Sequence, residues 1–474
     1  MMRILPFFAA FALSSAMLAA RPNIVLVMAD DQGWGDMAYN GHPDLKTPHF
    51  DQFAREAIRF DHFYSAAPVC SPTRASVLTG RHPNRMGVFK WGYPIRPQED
   101  TLAEVLKGAG YITGHFGKWH LGSVQTASPV HPGACGFDEW LSAPNFFEND
   151  PILSRNGKAE QMTGESSDVT ATAALDFLQR NDAGKDSPLF AVVWFGSPHL
   201  PHLASKQDLA LYPDTPTKKA NFYGEITGMD RAVGKLRAGI AELGLRDDTI
   251  FWYCSDNGGL MPESSGGRMK KGSIYEGGLR VPAILEWPGR FKSPRVIDAA
   301  CVTSDIFPTV LELAGIELPT AHARDGVSIT GILEGKATQR PAAIGFWDFK
   351  APGRGLPSAK WMKELLDSQI AGTELADKER LRLDAGIIAR QYAEDTFPGH
   401  AAWLDWPWKL HRIEKMKEET AEVTWELYNL ETDHLETQSL LAEQPERVEH
   451  MQSSMTPWLK SVVRSLNGKD YASP

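Results

Sequence analysis

Residues 23–31 read Asn-Ile-Val-Leu-Val-Met-Ala-Asp-Asp (NIVLVMADD). From Ile24 to Ala29 the apolar residues follow one another without alternation. A strand with one wet face alternates polar and apolar residues. A continuous run of this length reads instead as a strand buried on both faces, the form found in parallel sheets covered by helices. The run then stops at two carboxylates, Asp30 and Asp31. Two other runs have the same build. Leu189–Gly196 (LFAVVWFG) leads into Ser197-Pro198-His199-Leu200-Pro201-His202, and Thr249–Cys254 (TIFWYC) leads into Ser255-Asp256-Asn257-Gly258-Gly259. Tyr111–Gly117 (YITGHFG) leads into Lys118-Trp119-His120.

Helical patterns lie between these runs, over Asp51–Ala57, Thr101–Ala109, Val169–Arg180 and Gly224–Leu243. Strands alternating with helices predict an α/β fold with helices on both faces of one sheet. Ligands in such sheets bind beyond the carboxyl ends of the strands. The polar groups that follow each strand are therefore expected to meet at one edge. After about residue 340 the pattern changes. Residues 359–394 are charged and read as helical, Trp408–Ile413 and Thr424–Leu430 as short strands, and about Gln444 to Leu466 as a last helix. This predicts a larger domain over 21–340 and a smaller α+β domain over 341–474.

Bulk properties narrow the function. A chain of 474 residues can bury a large core. Its net charge of −10 lacks the basic footprint of a nucleic-acid binder. Residues 1–20 carry Arg3, an apolar stretch from Ile4 to Leu13 and small residues from Ser14 to Ala20. That is the form of a secretory leader. No cysteine stands at the expected cleavage point, and no later run is long and apolar enough to cross a bilayer. The chain is expected to be periplasmic or secreted, without a stable membrane anchor. Its four cysteines are Cys70, Cys135, Cys254 and Cys301. Two disulfides would be the plain reading for an exported chain.

Asp30, Asp31, Asp256 and Asn257 form an all-oxygen set, suited to a hard cation, Ca²⁺ or Mg²⁺. Each pair alone would also serve as a solvated turn. The thiol of Cys70 fits that set poorly, yet it stands at a helix start in residues 68–81, PVCSPTRASVLTGR. Ser71 is expected to cap the helix, Pro72 to open it and Gly80 to end it. The free N–H groups there favour an anion beside Cys70, with Arg74 one turn inside. A buried structural cysteine before an ordinary helix is the alternative.

The motif CSPTRASVLTGR resembles the signature of the type I, formylglycine-dependent sulfatases. There a Cys-x-Pro-x-Arg sequence is read by a maturation enzyme that oxidises the cysteine to formylglycine. The resemblance extends through NIVLVMADDQGWGD (23–36), GKWHLG (117–122), SPHLPH (197–202), SDNGG (255–259), KGSIYEGGLRVP (271–282) and ELYNLETDHLE (426–436). It is nearest to the arylsulfatase A and N-acetylgalactosamine-6-sulfatase branches. Thr73 departs from the commoner serine or alanine but leaves Cys70, Pro72 and Arg74 in place.

The resemblance implies an alkaline-phosphatase-like mixed sheet sandwiched by helices. It also implies a metal, Ca²⁺ or Mg²⁺, held by Asp30, Asp31, Asp256, Asn257 and the modified Cys70. Arg74 and His120 would orient the hydrated aldehyde, Lys118 and Lys271 would bind sulfate oxygens, and His199 would protonate the leaving alcohol. One hydroxyl of the hydrate would attack sulfur, and loss of the proton of the second, to His120, would expel sulfate. His202 could line the substrate pocket, and His400 of the smaller domain could reach it. Arg280 is expected to brace structure. Trp403, Trp406 and Trp408 could stack on sugars, with packing as the plainer reading. The implied substrate is a sulfated carbohydrate, such as 6-sulfated galactose or N-acetylgalactosamine. A phosphoesterase or phosphonate monoester hydrolase of the same superfamily, or a glycan-binding protein with an unmodified Cys70, stand as alternatives.

Overall fold

A computed structural model describes residues 21–182, 187–373, 377–417 and 420–471. The expected leader lies outside the described residues. Asn23–Ala29 is a strand at the centre of a large mixed sheet. It pairs in parallel with Leu189–Trp194 on one side and Thr249–Ser255 on the other. Ile112–Lys118 extends the parallel block beyond Leu189–Trp194. Arg280–Glu286 breaks the parallel order by running antiparallel between Thr249–Ser255 and Ile58–Tyr64.

The central strand shows why its apolar run is continuous. Ile24, Leu26 and Met28 enter one buried cluster, with Trp194, Trp252 and Leu78. Val25, Val27 and Ala29 enter another, with Phe50, Phe177 and Met229. Both faces are core, so no position is left for a polar residue. The second face is covered by Pro48–Glu56, Ser166–Asp182 and the 26-residue helix Thr217–Glu242. These helices are longer than, or offset from, the patterns read in the sequence. The helix of the Thr101 region runs Leu102–Gly108 because Thr101 and Glu104 close a capping box outside it.

A second, four-stranded antiparallel sheet follows, from Ile344–Phe349, Gly399–Asp405, Trp408–Lys417 and Thr420–Asn429. Helix Pro445–Leu466 packs on it through Met455, Leu459 and Val463. Ile344, Phe346, Ala402 and Tyr428 join Tyr64, Ile274 and Leu279 in one core, which ties the small sheet to the large one. One sequence expectation fails here. Residues 359–394 do not form one helical stretch: helix is confined to Ser358–Ile370 and Lys378–Leu381. Gly372 and Arg382, both with positive φ, end the two pieces, and the segment beyond Arg382 lies over the surface without regular pairing.

Candidate active site

The carboxyl ends of the parallel strands meet as expected. Asp30 and Asp31 follow the central strand, and Asp31 takes a positive φ of 72°. That turn swings its carboxylate towards the neighbouring strand end. Its backbone N–H donates to Asp256 Oδ1 at 3.1 Å, and Asn257 Nδ2 donates to Asp31 Oδ1 at 2.9 Å. Asp36 pins the turn from behind, accepting from the Gly33 N–H at 2.8 Å and from the Ser264 hydroxyl. No local pattern singles out Asp36.

Three cations answer the three carboxylates. Lys118 Nζ lies 2.6 Å from Asp30 Oδ2. Lys271 Nζ lies 2.6 Å from Asp31 Oδ1 and Oδ2. Arg74 donates to Asp256 Oδ2 through Nη2 at 2.7 Å and Nε at 3.1 Å, and reaches 3.7 Å from Asp30 Oδ1. Burial pulls the Asp30 carboxyl up, but Lys118, His199, Arg74 and Lys271 together hold it well below the usual range. Burial likewise opposes the charge on Lys271, yet Asp31 keeps its ammonium firmly protonated.

Cys70 stands among these charges. The helix starts at Cys70 itself and runs to Thr79, with every residue buried. Ser71 is therefore inside the helix and not its cap. No side chain caps the helix at Val69, and Ser71 Oγ accepts from the Gly92 N–H at 2.9 Å. Gly80 ends the helix with a φ of 68°, as expected. The thiol is 3.9 Å from Asp31 Oδ1 and 3.7 Å from Lys271 Nζ. Burial pushes the thiol far up, so as a thiol Cys70 is a poor nucleophile. All four cysteines are free, so no disulfide forms.

His199 and Lys271 keep 18% and 20% side-chain exposure, whereas Asp30, Arg74, Lys118 and Asp256 have none. The site therefore opens between His199 and Lys271. His199 Nδ1 is 2.5 Å from the Leu200 carbonyl. A carbonyl only accepts, so Nδ1 carries the proton and Nε2, 3.7 Å from Asp31 Oδ2, faces the cluster. Phe146 stacks on the imidazole at 4.3 Å and holds its plane. Phe146 had no signal in the sequence. His120 follows Lys118 with a φ of 55°. It is buried and neither ring nitrogen has a partner. Burial first, then Lys118 and Arg74, hold it neutral.

Other residues singled out in the sequence have partners of their own. His202 Nδ1 pairs with Glu225 Oε2 at 3.1 Å and its side chain is almost fully buried. His400 meets His411 at 2.9 Å, and His411 in turn meets Glu436 at 2.8 Å, inside the small sheet. Arg280 donates twice to the Asp61 carbonyl and lies over Trp34. Trp403 packs on Trp458, Trp406 on His62, and Arg447 covers Trp408.

The cluster fits a hard cation. Ligand atoms of Asp30, Asp31, Cys70 and His199 lie within 4.8 Å of one another. Asp30 Oδ1 and Asn257 Oδ1 are buried oxygens with no hydrogen-bond partner, and such atoms are costly unless something meets them. Residues 22–316 match the family model described as Sulfatase. The chain belongs to the sulfatase family. This sulfatase is 33% identical to the N-acetylgalactosamine-6-sulfatase of Canis lupus familiaris over 386 residues, covering 72% of this chain and 71% of that one. It is 32% identical to the arylsulfatase G of Rattus norvegicus over 393 residues, covering 70% and 72%. Its fold matches the crystal structure of Ps i-CgsB in complex with k-i-k-neocarrahexaose, with a TM-score of 0.75, 23% identity and 93% of each chain covered. The sulfatase is thus a sulfuric ester hydrolase, and the cluster around Cys70 is its candidate active site.

Proposed function

We propose that this sulfatase is exported and removes sulfate from sulfated glycans, 6-sulfated N-acetylgalactosamine or galactose among them. In this reading a maturation enzyme converts Cys70 to formylglycine. The observation that carries the proposal is the setting of Cys70. A buried, protonated thiol between Asp31 and Lys271 has no use as it stands. An oxygen-bearing group at the same point would lie beside the carboxylates and beside two lysines. The substrate class rests on the named activity of the N-acetylgalactosamine-6-sulfatase relative. Export rests on the leader-like residues 1–20. No helix among the described residues is long and apolar enough to cross a membrane.

Asp30, Asp31, Asp256 and Asn257 would hold the metal, for which Ca²⁺ is proposed. Bound there, it would draw negative charge from the reacting oxygens. The hydrated formylglycine would supply an oxygen nucleophile that a thiol cannot. The remaining work falls to this chain's side chains. Lys118 and Lys271 each spend hydrogen-bond donors on Asp30 or Asp31, and an ammonium has three. The remaining donors bind sulfate oxygens. They stabilise charge that grows during transfer. His199, with Nδ1–H fixed on Leu200, presents Nε2 to the mouth and hands a proton to the departing alcohol. His120, held neutral with both nitrogens unpartnered, accepts the proton that restores the residue at position 70. Arg74 keeps Asp256 in place and closes the site from below.

The test is the mass of the tryptic peptide Phe60–Arg74 from protein made in its own host, read beside turnover of an aryl sulfate. An aldehyde at position 70 with multiple turnovers is expected. Cys70→Ala should be inactive, and Cys70→Ser should undergo at most one sulfation event, since serine has no second hydroxyl to drive release. An intact thiol in active enzyme, or repeated turnover by the serine variant, would overturn the reading.

A further inference from the structure

Residues 354–363 line two cavities. Leu356 lines one of about 560 Å³, together with Phe146 and Met362. Its carbonyl accepts from Asn145 Nδ2 at 3.1 Å, and the neighbouring Phe146 is the ring stacked on His199. That cavity therefore begins at the mouth of the active site. Arg354 and Gly355 line a second cleft of about 750 Å³, whose opposite wall is Lys378–Asp384 and Ile387.

Arg382 is the unusual residue of this cleft. It is only 6% exposed, and its guanidinium makes no hydrogen bond or ion pair with the described residues. Its neighbour Arg380, by contrast, is taken by Glu364 and Asp377. No Arg382 nitrogen is both buried and unpartnered, so its guanidinium opens onto the cleft, where an anion can reach it. Arg382 also faces a like charge: burial first, and then Arg354 across the cleft, work against its protonation, while Glu379, Asp384 and Asp377 favour it without pairing with it. Arg354 is exposed and rests over the Tyr93 ring at 4.1 Å. Glu379 and Asp384 share the cleft wall but pair with neither arginine. The cleft continues past Arg354 and Asp384 into a further cavity that adds Arg96 and Arg390. Arginines thus outnumber carboxylates along the groove. The guanidinium fork matches sulfate and carboxylate geometry.

We propose that the Arg354–Arg382 cleft is a second anion site, which holds a sulfate or carboxylate of the same glycan while another sulfate of that glycan lies at Cys70. The inference rests on the sulfated-glycan reading above and deepens it. The substrate is then an oligosaccharide or polysaccharide with more than one negative group, and not a monosulfated monosaccharide. Cleavage of a small aryl sulfate uses only the Cys70 cluster and does not need the cleft. The anionic polymer is selected by the arginines, and its sulfate is removed by the cluster.

Binding is measured by titration calorimetry with sucrose octasulfate, a compact polysulfated probe of no particular sugar sequence, on full-length Cys70→Ala protein at fixed ionic strength. Adding Arg354→Gln or Arg382→Gln should weaken binding at least tenfold, and Arg382→Lys should recover part of it. In the otherwise native enzyme the same two Gln substitutions should leave kcat/KM on 4-nitrophenyl sulfate within twofold. Arg354 is exposed, so its variant reads out binding even if Arg382→Gln folds poorly. Sucrose octasulfate binding within twofold of the parent in both variants overturns the second site. Equal loss of aryl-sulfate turnover and of binding also overturns it, because the arginines would then act through the fold. Absence of any aryl-sulfate turnover in the parent would instead fault the sulfatase chemistry and leave the binding comparison standing.

Discussion

Lys118→Met removes the shortest cation contact to Asp30 and leaves the rest of the pocket in place. In the parent the two groups are 2.6 Å apart and neither side chain reaches solvent. Unit charges 4 Å apart attract by about 4 kcal/mol at an effective dielectric of 20. Deleting one partner of a buried pair costs about 3–5 kcal/mol, because the other is left buried and uncompensated. Asp30 keeps Arg74 at 3.7 Å, and it still feels His199 and Lys271. The loss should therefore fall near the lower end, about 3 kcal/mol. In the proposed mechanism Lys118 also donates to a sulfate oxygen, and one lost donor to developing charge costs about 10²–10³ in kcat. Aryl-sulfate turnover and the urea unfolding midpoint would be measured on the same preparation. The peptide mass at Cys70 would be checked, so that failed maturation is not mistaken for lost catalysis. A variant with more than a tenth of parental kcat, or with an unchanged midpoint, would refute this account of Lys118.

Gly117→Ala should act on the same lysine through the backbone. Gly117 has a φ of +100°, and an added Cβ would stand 1.9 Å from the Trp194 carbonyl oxygen; the cost should exceed about 2 kcal/mol and turnover should fall with it. Unchanged stability and rate in that variant would mean the strand end is not rigid. His82 should make stability fall in acid. It is buried, accepts from the Trp347 N–H of the small sheet, and burial first drives its pKa down to about 3. A depressed histidine favours the folded state above its unfolded pKa of about 6.5, and that contribution drains away as pH falls towards 3. His82→Gln should flatten the pH dependence of the unfolding midpoint across this window, and an unaltered slope would remove His82 as its source.

Several parts of the site were legible because burial leaves a mark on composition. A strand with core on both faces has no place for polar residues, so Asn23–Ala29 and Thr249–Cys254 stood out, and the acids that follow them marked strand ends. Gly80 was legible because a left-handed helix end favours glycine. Ser71 was misplaced as a cap because serine at a helix start has two uses, and the Gly92 N–H that claims its hydroxyl lies 21 residues away. The charged run 359–394 looked helical because it is rich in helix-forming residues. Propensity is a weak signal beside tertiary contacts, and only Ser358–Ile370 has a sheet edge to pack on. Phe146 and Asp36 carried no local pattern, since each acts on a partner brought by another loop.

By itself, the sequence determined the α/β class, the chain order of the elements and the residue types gathered at the strand ends. Periodicity, turn chemistry and short motifs are local, and the chain carries them wherever it goes. Tertiary structure alone decided which cation answers which carboxylate: Lys118 with Asp30, Lys271 with Asp31, Arg74 with Asp256. It also set Phe146 on His199 and turned Arg382 onto a cleft shared with Arg354. Charge pairing in a buried site depends on ångström separations between residues up to 240 positions apart in the chain. Those separations exist only once the sheet has brought its strand ends together.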